Sequence, residues 1–156
     1  MRTPHGLAEI IATFGDARKI PAVAFEAANI VRVVLPESLP YEDVHITRVT
    51  RVTCHRLIAS ILSDTLHAVH AAGLWPELAK GTYGGGYAHR QKRGVEKLST
   101  HAWGIAWDFS ADIYPLDSRA RMPDDLIRIF TSRGFVYGGD FGGRPDPQHF
   151  QFASGY

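Results

Sequence analysis

The stretch Ser99-Thr100-His101-Ala102-Trp103-Gly104-Ile105-Ala106-Trp107-Asp108-Phe109 constrains this chain more than any other. It alternates after Gly104. Ile105, Trp107 and Phe109 belong on one face of a strand, Ala106 and Asp108 on the other. Asp108 therefore shares its face with a residue too small to obstruct it. His101 lies just before the strand, where a turn at Trp103-Gly104 can bring it back over Asp108. An imidazole and a carboxylate converging from a strand and its entry loop make half of a zinc site. Taken in isolation, the same pair is better read as a histidine hydrogen-bonded to a carboxylate.

A third ligand is offered near the C-terminus, in Arg144-Pro145-Asp146-Pro147-Gln148-His149-Phe150-Gln151-Phe152. Phe150 and Phe152 take one face of an alternating run, His149 and Gln151 the other. Asp146 is flanked by prolines, which restrict both themselves and the residue before them. His101, Asp108 and His149 would leave one zinc position for water, and a carboxylate beside that water can take its proton. Asp146 is the candidate base. No His-Glu-x-x-His helix is present, which excludes the commonest zinc-protease arrangement.

The 156 residues suit one domain spanning 1–156, with length enough for a core. A hydrophobic content of 45% and a charged content of 21% fit a soluble globular protein. A net charge of +1 gives no reason to expect nucleic acid or an anionic membrane as partner. Cys54 is the single cysteine, so folding needs no disulfide. No apolar stretch is long enough to span a bilayer, and the N-terminus lacks the apolar core of a signal peptide. Synthesis in the cytoplasm is expected, as a monomer without membrane insertion.

Along the chain, Leu7, Ile10, Ile11 and Phe14 have helical spacing, with Gly15 as a stop. Residues 20–28 are too rich in alanine to assign. Asn29 to Leu35 reads as a strand ended by Pro36, and residues 36–40 as a loop. Val44 to Val52 is either a strand or an extended lead into the next helix. Leu57, Ile58, Ile61, Leu62, Leu66 and Val69 define the longest helix, closed by Gly73 and suited to lie across a sheet. Residues 81–86 contain four glycines and form either a loose loop or backbone close to a ligand. Residues 91–97 are polar and expected at the surface, and 115–122 form a loop. Pro123 opens a helix ended by Gly134, and Phe135 to Tyr137 makes a short strand into Gly138-Gly139.

Other residues compete for a functional role. His67 and His70 lie one turn apart on the long helix but lack a third partner. Cys54-His55 is a soft pair, with Cys54 better read as a small buried residue. His5, His45 and His89 carry no pattern. Trp103 either packs or walls a cleft.

His-x-x-Gly-x-Ala-x-Asp followed by Asp-x-x-His resembles the family of zinc D-Ala-D-Ala carboxypeptidases and L-alanyl-D-glutamate endopeptidases, peptidoglycan hydrolases that include many phage endolysins. The matching residues are Ser99, His101, Gly104, Ala106 and Asp108, then Gly138-Gly139-Asp140 and Asp146-Pro147-Gln148-His149-Phe150. Gly86-Tyr87-Ala88-His89-Arg90 is similar to the family's aromatic-then-arginine element. The likeness is strongest over residues 84–152. Many members carry glutamate as the base where this chain has Asp146. The resemblance implies an α+β fold of the hedgehog/DD-peptidase kind, a single domain with an antiparallel sheet and helices packed on one side. It implies one zinc per chain on His101, Asp108 and His149, with Asp146 and Arg90 catalytic. Arg90 would bind a substrate carboxylate or the developing oxyanion, with Arg93 in reserve. Ser99 would position His101 or merely end a loop, and Asp140 would orient a histidine ligand unless it is an ordinary turn residue. The substrate implied is the bacterial peptidoglycan stem peptide, cut at the L-Ala–D-Glu bond. The alternatives are a D-Ala-D-Ala carboxypeptidase, a zinc-bearing binding module without catalysis, and a virion structural protein. Since no signal peptide is present, action on the wall would follow release by a phage or carriage in a virion.

Overall fold

A computed structural model of the chain describes residues 1–43, 45–92, 94 and 96–156. Helices α1 (Gly6–Phe14) and α2 (Ala22–Asn29) come first. A long hairpin follows, β1 (Ile30–Pro40) with β2 (Arg48–His55). A 3-10 turn at Arg56–Ile58 leads into α3 (Ala59–Ala71), and α4 (Trp75–Leu78) is a single turn. Next come a 3-10 turn at Thr100–Trp103 and β3 (Ala106–Asp108). α5 (Asp124–Thr131), β4 (Val136–Tyr137) and β5 (His149–Gln151) complete the order. The strands form two antiparallel sheets, β1-β2 and β3-β5-β4. The expected α+β class with antiparallel sheets and helices is the one found.

Two local expectations need correction. Residues 36–40 are not a loop, because β1 continues through Pro36 to Pro40. The register with β2 slips between Val34 and Leu39, so Pro36 falls in an irregularity where its missing N–H breaks no ladder bond. Residues 22–28, which carry no clear sequence pattern, are helical and bury Phe25, and Asn29 ends this helix instead of opening the strand. From Arg48 onward the second β-rich segment is strand, while Val44 lies outside the described residues. Among residues 91–97, Lys92 is half-buried, and Arg93 and Val95 lie outside the described residues.

The long helix begins later than its apolar periodicity, since Arg56–Ile58 is a 3-10 turn. It buries Leu62, Leu66 and Val69, packs on β1 and β2, and meets α5. Its end is set by two crossed bonds, Gly73 N–H to His70 O and Leu74 N–H to Val69 O, each 3.0 Å. Under the second sheet lies an aromatic core. Phe130 of α5 stacks on Phe150 of β5 with centroids 4.0 Å apart, and Phe109, Phe135 and Tyr137 surround them. The alternation of β5 does the sorting: Phe150 enters this core, and His149 and Gln151 take the opposite face.

Gly104 joins the two sheets. Its φ of 68° is left-handed, and its carbonyl accepts the His55 N–H at 2.7 Å. A Cβ there would lie 2.5 Å from Ile30 Cδ1 and 3.0 Å from the His55 nitrogen. Only glycine fits both demands. The turn also folds His101 back toward Asp108, as the sequence suggested.

His55 sits at this junction, buried against the edge of Phe14 with ring centroids 4.9 Å apart. Its Nδ1 accepts the Leu57 N–H at 3.2 Å. Burial pushes its pKa down from 6.5 to about 4. The neutral form is therefore the folded form. The stability it contributes is complete above the unfolded value and is lost as pH falls from 6.5 to about 4. The expected loss is about 3 kcal/mol from this group. Urea unfolding at pH 7.5 and 4.5, with chelator throughout, should show a smaller pH difference for His55→Gln than for the wild type. Equal differences would mean that His55 titrates normally.

Candidate active site

Asp108 and His149 are directly opposed across the β3–β5 ladder. That register puts His149 Nδ1 2.8 Å from Asp108 Oδ1. His101 arrives from its 3-10 turn with Nε2 3.3 Å from the same oxygen. The ligand atoms of His101, Asp108 and His149 all lie within 4.8 Å of one another, and all three residues are buried. Among the described residues no other trio of such side chains converges this way.

The bonding around His101 tests whether the cluster suits a metal. Its Nδ1 is 2.6 Å from the carbonyl oxygen of Gly86, which can only accept. Nδ1 therefore carries a proton, and in the neutral ring Nε2 is the lone pair left to face the cluster. Nε2 is buried and makes no hydrogen bond. Lone pairs of nitrogen and carboxylate oxygen facing one another inside a protein repel unless a proton or a metal ion lies between them. Two imidazoles and one carboxylate are a donor set that suits zinc, and the trio could hold a metal ion. Burial alone would raise the Asp108 carboxyl; His101 and His149 outweigh it and hold the group well below the usual carboxylate range.

The backbone around Asp108 is fixed on both sides. β5 pairs with one edge of β3. On the other edge Gly84 N–H donates to Asp108 O at 2.8 Å, and Asp108 N–H to Gly85 O at 3.0 Å. The glycine-rich run is thus not a loose loop. It is an extra edge for β3, and it supplies the carbonyl that orients His101.

The trio lies in a cavity of about 550 Å³. Asp146 lines it, with Oδ1 buried and without a hydrogen-bond partner. Its backbone is pinned on both sides, Asp146 N–H to Gly138 O at 2.8 Å and His149 N–H to Asp146 O at 3.0 Å. Gly138 passes so close to Asp146 O and to His149 that a Cβ would collide with both. Burial raises the Asp146 carboxyl above its usual value; His149 opposes that shift and Asp108 reinforces it. Arg90 enters from the solvent side, its Nη2 3.8 Å from Asp108 Oδ2. Ser99 lines the cavity, and its hydroxyl accepts the His101 N–H at 3.4 Å.

Two expected positions turn out otherwise. Asp140 does not line the cavity. It is exposed and pairs with Arg121 at 2.6 Å, because the 3-10 turn at Gly138–Asp140 sends its side chain outward. Trp103 is no cleft wall: it is fully buried, and its Nε1–H donates to Gly15 O at 2.8 Å. Arg93 lies outside the described residues. The competing candidates stay apart from the site. His67 bonds to Ser63 O, His70 faces Glu37, and His89 bonds to Ala17 O. Cys54 is buried, and burial pushes its thiol up.

Sequence reading missed Lys92, Tyr156, Thr100 and Gln151, which also line the cavity. The Lys92 ammonium lies 4.2 Å from the centre of the Tyr156 ring. Only Gln151 left a signal, sharing a strand face with His149.

No curated protein and no solved structure matches the chain. Residues 93–152, well under half of the chain, match a family model described as D-alanyl-D-alanine carboxypeptidase, and that span contains His101, Asp108, Asp146 and His149.

Proposed function

We propose that this chain is a zinc-dependent peptidase of peptidoglycan stem peptides, cutting between L-alanine and D-glutamate. One observation carries the reading: a buried cluster of two histidines and a carboxylate shares a cavity with a second carboxylate whose Oδ1 has no partner. A binding module would need only the cluster. The partial family match supports the same class.

His101 Nε2, Asp108 and His149 Nδ1 would hold the ion. When bound, zinc supplies Lewis-acid polarisation of the scissile carbonyl and makes water acidic enough to be a nucleophile at neutral pH. Asp146 takes the proton of the attacking water and hands it to the leaving amine. Its raised pKa suits a group that must both accept and release a proton. Arg90, half-exposed at the mouth of the cluster, donates to the substrate oxygen on which charge develops. Ser99 holds the turn that carries His101. The enzyme acts as a monomer on the cell wall, reached from the cytoplasm through phage lysis or within a virion.

The description of the matched family favours a second reading, removal of a terminal D-alanine. Mass spectrometry of purified peptidoglycan digested with the protein separates the two. The expected products are stem peptides with a new N-terminal D-glutamate, no released reducing sugar, and one zinc per chain. Products shortened only by D-alanine would establish the carboxypeptidase instead. Well-folded protein that takes up no zinc on reconstitution would overturn both.

A further inference from the structure

We infer that Gln151, held by Thr100 and the Ala153 carbonyl, fixes which nitrogen of His149 faces the cluster, and is a positioning residue for the metal. The inference rests on the metal reading above. His101 and His149 must each present a bare nitrogen, and they do so through different atoms. For His101 the choice is made by backbone, through the Gly86 carbonyl. For His149 it is made by a side chain.

The orientation of the Gln151 amide follows from its neighbours. Gln151 Nε2 lies 2.9 Å from Ala153 O, and a carbonyl can only accept. Turning the amide over would set two oxygens against each other, so Nε2 must stay there and Oε1 must point the other way. Oε1 then accepts the Thr100 hydroxyl at 2.9 Å and lies 3.1 Å from His149 Nε2. An oxygen with those partners needs a proton on His149 Nε2. Nδ1 is the nitrogen that faces Asp108 Oδ1 at 2.8 Å, sharing a proton with it when the ring is charged and offering its lone pair when the ring is neutral.

Without Gln151 the opposite tautomer becomes attractive. A proton on Nδ1 would make a charge-assisted hydrogen bond to Asp108, stronger than a neutral one. It would also consume the lone pair that the metal needs and tie up a second ligand, Asp108. The Gln151 acceptor opposes this trap by offering Nε2–H a buried partner that Nε2 would otherwise lack. Thr100 belongs to the turn that carries His101. The two histidine ligands are therefore linked through Thr100 and Gln151 behind the cluster.

Gln151→Met keeps length and removes the acceptor; Gln151→Glu keeps the acceptor but sets its second oxygen against Ala153 O. Zinc affinity is measured by competition with a chromophoric chelator. The metallated nitrogen of His149 is read by long-range 1H–15N correlation of the loaded protein. The wild type should bind zinc at His149 Nδ1 and show a protected Nε2–H. Gln151→Met should lose about 10- to 100-fold in zinc affinity and lose that protection, with Gln151→Glu recovering part of both because its acceptor remains while its bond to Ala153 O is lost. Thr100→Val, which leaves the amide in place but loosens it, should fall between. Wild-type protein that binds no zinc sinks the metal reading and this inference together. Zinc bound by the wild type, and equally well by Gln151→Met and Thr100→Val, sinks the inference alone.

Discussion

Asp146→Asn should fold, keep its zinc and lose about a hundred- to ten-thousand-fold in peptidase rate, the usual worth of general-base catalysis. That range corresponds to roughly 3–5 kcal/mol of barrier. The amide is the same size and still hydrogen-bonds, but it cannot accept a proton at neutral pH. The backbone bonds that pin residue 146, to Gly138 O and from His149 N–H, do not involve the side chain, so the turn should survive. Oδ1 has no partner to lose. Asp140→Asn is the matched control. Its carboxylate pairs with Arg121 in solvent, away from the cavity, and exposed pairs of this kind contribute little. Its rate should stay close to the wild type's. Rates and zinc content are measured on the same stem-peptide substrate. A fast Asp146→Asn beside a dead, zinc-loaded Asp140→Asn would exchange the two roles.

The contrast between these aspartates shows what the sequence could and could not carry. Asp146 was legible because prolines on both sides and His149 nearby fix its relation to the cavity locally. Asp140 follows the two glycines at 138 and 139, and its direction is decided by a 3-10 turn and by Arg121, distant in sequence. The convergence of His101, Asp108 and His149 was legible for a similar reason: strand alternation orients Asp108 and His149, and a glycine turn orients His101. The register that opposes Asp108 to His149 is a tertiary fact, as is the Gly86 carbonyl behind His101. Trp103 was ambiguous because its size suits a cleft wall as well as a core. Its 3-10 turn directs it inward, onto Gly15 O. In β1 the proline at 36 reads as a terminator, and only the slipped register with β2 shows how a strand passes through it. α2 has little amphipathic pattern beyond Phe25, so tertiary packing, not periodicity, defines it.

Asp108→Asn should stay folded and lose zinc more severely than the roughly 10- to 100-fold expected from altering a supporting residue. Asp108 lies between the histidines, with Oδ1 2.8 Å from His149 Nδ1 and 3.3 Å from His101 Nε2. It supplies the only negative charge among the three ligands. An asparagine can be placed in two ways, and both disfavour the ion. With its oxygen toward the histidines it is a neutral and weaker ligand. With its NH2 toward them it donates to the bare nitrogens, satisfying the lone pairs that the metal would have taken. The second placement also relieves the repulsion that makes the empty cluster unfavourable, so folding has no reason to suffer. Peptidase activity should fall with zinc occupancy, unlike Asp146→Asn, where zinc stays and turnover goes. Chelator competition and metal analysis on gel-filtered protein check both variants together. If Asp108→Asn holds zinc as tightly as the wild type, Asp108 is a hydrogen-bond partner of two histidines and no ligand, and the metal must be sought elsewhere.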